Sequence, residues 1–285
     1  MFSLGFSTLG CPKYSVDEVI DLAQMNNFDG VEIRFIRGQV DLTLLEEFSV
    51  DQIANTRRRF DRAGIEVVCI DSSIRFTSSS ADEQRAQMEL AEHNCRIAVG
   101  LGARFLRVFG GTLPTGPLSK GDRRRHLAGV ARGLNAVAEL TADQGVTTLL
   151  ETHDDFCTSM AIEELWAEGV SDKVGILWDS LHTFRFGEPP QKTWGLLGDR
   201  IRHVHVKDSH VANPDQFDFA LPGEGIAPIP EIVSTLVDSG YTGYVDFEWE
   251  KAWHPEIEPP EVAIPCFARY MAQFTNSAAS PGGAQ

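Results

Sequence analysis

One pattern recurs along this chain and restricts what it can fold into: a helical stretch, a glycine, then a short apolar run. It reads FDG-VEIRF at Gly30, RAG-IEVVCI at Gly64, GLG-ARFLRVF at Gly102, DQG-VTTLLE at Gly145 and SGYTG-YVDFE at Gly240 and Gly243. Glycine adopts the left-handed conformation just past a helix end at no steric cost. The apolar runs do not alternate cleanly, as expected of parallel strands buried on both faces. In order, the units predict strands at 4–8, 31–34, 66–70, 105–108, 147–151, 174–178, 201–205 and 244–248. Helices are predicted at 15–26, which opens on the capping-box pattern Ser15-x-x-Glu18, and at 51–63, 81–101, 121–144, 230–238 and 261–274; 194–198 is the weakest helix.

Eight such units predict an α/β fold, a closed (β/α)8 TIM barrel. An open doubly wound sheet is the other arrangement, but no GxGxxG follows the first strand and no GxxxxGK[ST] occurs. No linker interrupts the series, so 1–275 reads as one catalytic domain and the small, polar 276–285 as a flexible tail. With 285 residues and a hydrophobic share of 42%, the chain can fill such a core.

The formal net charge of −16 repels phosphate backbones and disfavours nucleic acid as a partner. The five cysteines are odd in number and form no CxxC, which argues against a disulfide framework or a structural zinc and fits a reducing cytoplasm. The start MFSLGFSTLG does not read as a signal peptide, and no apolar run approaches the ~18 residues of a membrane helix. Cytoplasmic location without membrane contact is the expectation.

In a parallel barrel the active site forms at the C-terminal ends of the strands. The fifth ends TTLLETH, giving Glu151 and His153; the sixth GILWDSLH, giving Asp179 and His182; the seventh RHVHVKD, giving His205, Lys207 and Asp208; the eighth YVDFEWE, giving Glu248 and Glu250. Glu151, Asp179, His205 and Glu248 would meet at one point. Three carboxylates there would repel one another into protonation, and a divalent cation resolves the conflict. A mostly oxygen ligand set suits one Mn2+ or Mg2+, then Co2+, with Zn2+ less favoured for lack of thiolates. Taken singly, each acid is equally well a helix cap or an ion-pair partner. His203 reads as a satisfied interior histidine.

The sequence resembles the sugar phosphate isomerase/epimerase superfamily, the xylose isomerase-like TIM barrels that include ketose 3-epimerases, inosose dehydratase and endonuclease IV. The resemblance runs through LGFSTLGCP, DGVEIRF, RFLRVFGG, HVHVKD, LPGEGIAPIP and GYTGYVDFEWE. It implies that Glu151, Asp179, His205 and Glu248 bind a catalytic metal, often manganese, and that Glu151 and Glu248 exchange the proton in catalysis. A metal-dependent isomerase or epimerase of a keto sugar or related polyol follows, working through an enediolate. A lyase, an inosose-type dehydratase or an elimination that cleaves an oxidised sugar or glycoside, would use the same site.

Further substrate-binding candidates carry alternatives. His182 faces the substrate or supports a metal ligand. Lys207 polarises a substrate oxygen or pairs with Asp208 or Glu224. Arg107 ends the fourth strand, where Gly110 and Gly111 would let a ligand approach the backbone, and His153 faces the rim. Trp253 and His254 wall the pocket or pack the last loop. Glu32 and Arg34 are expected to form an ion pair closing the barrel, and Cys157 to be inert. An endonuclease is disfavoured because the second to fourth strands end without histidines, and a non-catalytic barrel because the ligand set is intact. No phosphate-binding nest with a convergent lysine is seen. A carbohydrate is the expected partner, and similar enzymes are often homodimers or tetramers.

Overall fold

The computed structural model describes residues 2–77 and 80–275. Eight parallel strands close into a barrel: β1 (Ser3–Ser7), β2 (Gly30–Ile33), β3 (Glu66–Arg75), β4 (Phe105–Phe109), β5 (Thr147–Glu151), β6 (Val174–Asp179), β7 (Ile201–Val206) and, after a small hairpin, β10 (Tyr244–Phe247). The ring is sealed where β1 pairs with β10, with Leu4 beside Val245 and Phe6 beside Phe247. The hairpin, β8 (Asp208–Ser209) against β9 (Phe219–Ala220), sits directly after β7.

The helices are α1 (Val16–Met25), α2 (Ile53–Ala63), α3 (Ala81–Leu101), α4 (Lys120–Ala142), α5 (Ser159–Trp166), α6 (Ser180–Arg185), α7 (Pro190–Leu197), α8 (Ile229–Asp238) and α9 (Pro260–Thr275). Ser15 caps α1 with both bonds of the capping box: its side chain accepts from Glu18 N, and the Glu18 carboxylate accepts from Ser15 N. Gly64 and Gly102 close α2 and α3 at φ 71° and 76°, as the pattern predicts. Gly30 does something else. Asn27 (φ 56°) takes the left-handed position after α1, while Gly30 opens β2, where a Cβ would lie 2.6 Å from Val68 and 2.7 Å from the Tyr244 ring. Close approach, not turn geometry, is its requirement.

The strand period of two sorts side chains between two interiors. Val31, Ile33, Ile70, Leu106, Val108, Leu150 and Val204 belong to the apolar layer beneath the helices, where they join Val19, Ile20, Phe60, Ala98, Val130 and Leu134. The alternate set fills the barrel and is strongly polar: Ser7, Glu32, Asp71, Arg107, Glu151, Asp179, His203, His205 and Asp246 are all buried.

Two helices escape the sequence pattern. α5 and α6 are eight and six residues long, too short for a clear apolar stripe. α7 begins at Pro190, earlier than the predicted 194. β3 runs five residues beyond the predicted end, with a register shift against β4 between Asp71 and Arg75. The tail expected at 276–285 lies outside the described residues. Among the described residues, no helix is long and apolar enough to cross a membrane, and all five cysteines are unpaired.

A buried carboxylate ties α5 to α7. Glu188 accepts from Ser159 N and Oγ at 3.0 and 2.9 Å, from Thr193 Oγ1 at 3.1 Å and from Lys192 Nζ at 3.0 Å. Burial raises its pKa, but these donors outweigh burial and hold it below the ordinary 4.5. Glu188→Gln is therefore expected to cost about 1–3 kcal/mol, read as a drop of roughly 2–10 °C in Tm by calorimetry. Because the folded pKa is depressed, the contribution is complete above pH 4.5 and fades as pH falls through the lower folded value. The wild-type and variant melting curves should converge on acidification.

Candidate active site

The ends of β5, β6, β7 and β10 deliver Glu151, Asp179, His205 and Glu248, one ligand atom of each lying within 4.8 Å of the others. All four are buried, at 1%, 0%, 0% and 4% exposure. Glu248 is the residue just after β10, and its backbone N–H still bonds Val206 O at 3.3 Å. Asp179 combines two roles that the sequence leaves as alternatives. Its Oδ1 caps α6, accepting from Leu181 N and His182 N at 3.0 and 3.1 Å, and its Oδ2 lies 2.8 Å from Lys207 Nζ and belongs to the cluster.

The donor set fits a cation. Glu151 Oε1 and His205 Nδ1 are buried without a hydrogen bond, whereas Glu151 Oε2 and Asp179 Oδ2 are met by Arg107 Nε at 3.2 Å and Lys207 Nζ at 2.8 Å. With two cations against three carboxylates, the remaining atoms are costly unless a further charge answers them. His205 Nδ1 lies 3.8 Å from Glu151 and 3.5 Å from Glu248. Its other nitrogen, Nε2, lies 3.0 Å from Glu32. Burial lowers the pKa of His205, but Glu32 and then Glu248 outweigh it and hold it well above its ordinary value. With the Nε2 hydrogen donated to Glu32, a cation that displaced the Nδ1 proton would meet the lone pair in the arrangement by which imidazoles bind metals.

Two cations border the cluster. Lys207, fully buried, places Nζ 2.8 Å from Asp179, 2.5 Å from Glu248 and 2.6 Å from Glu250. Burial raises the pKa of Glu248, yet Lys207 and then His205 outweigh it and hold the carboxyl well below its ordinary range. Arg107 Nε lies 3.2 Å from both Asp71 and Glu151, with its guanidinium 4.0 Å over the Phe109 ring. Burial pushes Glu151 up, Arg107 pulls it down, and Glu248 pushes it up again, for a net rise.

Below the cluster lies a second polar layer. Glu32 Oε2 accepts from His203 and His205 Nε2, both at 3.0 Å, and His203 Nε2 also lies 3.3 Å from Asp246. His203 is an interior histidine, as its place in the strand predicts, but not a satisfied one, because its Nδ1 is buried without a hydrogen bond. Glu32 does not pair with Arg34; Arg34 donates to Asp71 O at 3.1 Å and Ser73 Oγ at 2.8 Å. The expected ion pair fails because Glu32 points into the barrel between two histidines. Lys207 likewise pairs with neither Asp208 nor Glu224: Asp208 is occupied by the backbone N–H groups of Ser209, Gly223, Gly225 and Ala227, which fold the LPGEG loop around it.

The outer candidates form a rim. His182 Nδ1 is 3.0 Å from Thr152 O and 3.7 Å from Asp179. Burial, then Lys207 and His153, depress its pKa well below the ordinary value, keeping it neutral. His153 packs on His182 and Phe109 at 4.8 and 4.6 Å. His254 contacts Phe219 at 5.0 Å, and Trp253, 53% exposed, meets Phe35 edge-on at 5.3 Å. Gly110 serves packing: a Cβ there would strike the Phe156 ring at 2.2 Å, so the glycine admits this side chain. Cys157 is pushed up to about 12 by burial and then by Asp179, Asp154 and Glu151, which disfavours its thiolate. Sequence reasoning passed over Asp71, Asp246 and the Lys207–Glu250 pair; only VCID and YVDFE, with an acid among apolar strand residues, hinted at the first two.

A closed parallel barrel with a buried carboxylate–histidine cluster at its C-terminal mouth defines a class of proteins able to hold a cation there. The family model described as xylose isomerase-like TIM barrel matches residues 20–267, and the chain belongs to that family. It is 27% identical to inosose dehydratase from Lacticaseibacillus casei over 138 residues, 43% of this chain and 46% of that protein. With fructoselysine 3-epimerase from Escherichia coli O157:H7 it shares 27% over 124 residues, 42% and 44% of the two chains. The matches thus span about half the length of these curated relatives. Among solved structures, a probable 3-DHS dehydratase from Bacillus anthracis aligns with TM-score 0.77 at 20% identity, covering 96% of this chain and 99% of that one. The IOLI protein with a binding zinc atom aligns with TM-score 0.77 at 17% identity, covering 98% and 100%. At these identities the structural likeness establishes the fold.

Proposed function

We propose that this chain is a divalent-metal-dependent isomerase or epimerase of a keto sugar or related polyol, with residues 1–275 as one cytoplasmic catalytic barrel. The convergence of Glu151, Asp179, His205 Nδ1 and Glu248 within 4.8 Å carries this reading. Those four residues would hold the metal, Mn2+ by the predominance of oxygen donors; the relative with zinc makes Zn2+ the alternative to test. When bound, the cation polarises a substrate carbonyl and so acidifies the neighbouring C–H.

The chain's own residues do the rest. Glu151 and Glu248, both buried, are the carboxylates placed to take and return a proton. Lys207 gives its three N–H donors to Asp179, Glu248 and Glu250 and would meet a substrate oxygen by exchanging one of them. His182, neutral and fixed through Thr152, would offer its other ring nitrogen to the substrate. Arg107 braces Glu151 from beneath. His153, Trp253 and His254 shape the entrance.

A second reading, a lyase acting from the same proton abstraction, is favoured by the inosose dehydratase relatives. Metal analysis followed by incubation with ketoses, inososes and 3-keto-glycosides in deuterated water, with and without Mn2+, separates the two. Isomerisation places deuterium in recovered sugar of unchanged formula; the lyase releases water or an aglycone. Neither outcome across the panel, from metal-loaded protein, would sink both readings.

A further inference from the structure

Arg34, at the end of β2, is a buried guanidinium that faces no carboxylate. It is 6% exposed, and its two hydrogen bonds go to neutral acceptors, Asp71 O and Ser73 Oγ. Nε and the second hydrogens of both terminal nitrogens are left without a protein acceptor among the described residues. No described carboxylate oxygen comes within the 4.0 Å of an ion pair. Two other buried cations nearby are engaged by carboxylates. Arg107 is held by Asp71 and Glu151, Lys207 by Asp179, Glu248 and Glu250. Arg185 resembles Arg34 in meeting neutral acceptors, the carbonyls of Asn213 and Pro214, but it lies close over the Phe217 ring at 3.9 Å, where Arg34 lies 5.8 Å from the Phe35 ring.

A guanidinium does not escape burial by losing its proton at neutral pH. Burial and then Arg107 bring Arg34 down to about 10, so it stays charged. The carboxylates that offset it at longer range are Asp71, Glu151 and Glu248. Asp71 already serves Arg107, and Glu151 and Glu248 belong to the cation cluster. Binding of a divalent ion there leaves Arg34 further from neutrality. Its place in the fold is beside that cluster: the guanidinium bonds Asp71 O, and the Asp71 carboxylate holds Arg107, which in turn meets Glu151.

We propose that Arg34 receives a carboxylate carried by the substrate, which makes the substrate class a keto-sugar acid in preference to a neutral ketose. This rests on the metal-dependent reading for where the reacting end of the sugar lies. It draws on Arg34 alone for the charge at the other end, through charge-assisted hydrogen bonds.

The test compares two sugars that differ only in carboxylate for hydroxymethyl, D-fructuronate and D-fructose. Each is titrated calorimetrically into the protein with and without Mn2+. Wild type is expected to bind fructuronate about 30- to 100-fold tighter than fructose. Arg34→Met should bring the two within about threefold by weakening fructuronate alone, and Arg34→Lys should keep part of the preference. Equal binding of both sugars by wild type, or a preference that survives in Arg34→Met, overturns the proposal. Should Arg34→Met not fold, a selective loss for fructuronate in Arg34→Lys supports it and an unchanged ratio overturns it. Manganese uptake, measured separately, keeps the two ideas apart. A protein that takes up no metal yet shows the Arg34-dependent preference would sink the metal-dependent function and leave the carboxylate site standing.

Discussion

Glu248→Gln is expected to lower proton exchange on the substrate by at least about 1,000-fold and to weaken manganese binding in the same variant. The carboxylate stands at the meeting point of two interactions, 3.5 Å from His205 Nδ1 and 2.5 Å from Lys207 Nζ. An amide removes the negative charge that both neighbours face, and it offers the cation one neutral oxygen. A readout independent of turnover is available, because a ligand that binds only the folded protein stabilises it by about 2.7 kcal/mol at 100 times its Kd. For a chain of this size that is a Tm rise of roughly 5–10 °C on adding Mn2+. Wild type should show the rise, and Glu248→Gln, Glu151→Gln and Asp179→Asn should each lose most of it. A Glu248→Gln variant with full exchange activity and an undiminished thermal shift would show that the cluster is a static ion-pair network held by Lys207.

How far the sequence discloses this site depends on which face of a strand carries a residue. The four cluster members stand at the ends of late strands, and the rule that barrels act at their C-terminal mouths makes end positions readable without a structure. The barrel itself is legible because long helices such as α3 carry a helical pattern with a clear stop at Gly102, and buried strands are short and apolar. The layer beneath is not. Glu32, Asp71 and Asp246 sit inside strands, where a lone acid resembles an edge residue or an ion-pair partner, and nothing local says that it meets a histidine far off in the chain. Glu32 reaches His203 across the barrel, and that contact exists only once β1 and β10 seal the ring. Lys207 misled for a related reason. Asp208 is adjacent in sequence but faces the loop backbone, whereas Asp179, Glu248 and Glu250 come from other strand ends.

That hidden layer has a measurable consequence. Glu32→Gln is expected to weaken Mn2+ binding by about 10- to 100-fold, the usual effect of removing a carboxylate that orients a metal-binding histidine, although Glu32 itself is not among the four cluster residues. Glu32 holds Nε2 of His205 at 3.0 Å and shares the same oxygen with His203. An amide in its place can accept from one imidazole through its oxygen, but its NH2 group confronts the other and favours the ring flipped or in the opposite tautomer. Nδ1 of His205 then no longer presents its lone pair to a cation beside Glu151 and Glu248. Because the four proposed ligands are still present, saturating manganese should restore most of the turnover, which it cannot do for Glu248→Gln. The pair of variants therefore separates orientation from ligation: a shifted manganese requirement with near-normal maximal rate in one, a lost rate at every manganese concentration in the other. If Glu32→Gln melts well below wild type without metal but binds manganese with unchanged affinity, Glu32 only neutralises the two histidines, and the orientation of His205 comes from the strand pairing of β7 with β6 and β10.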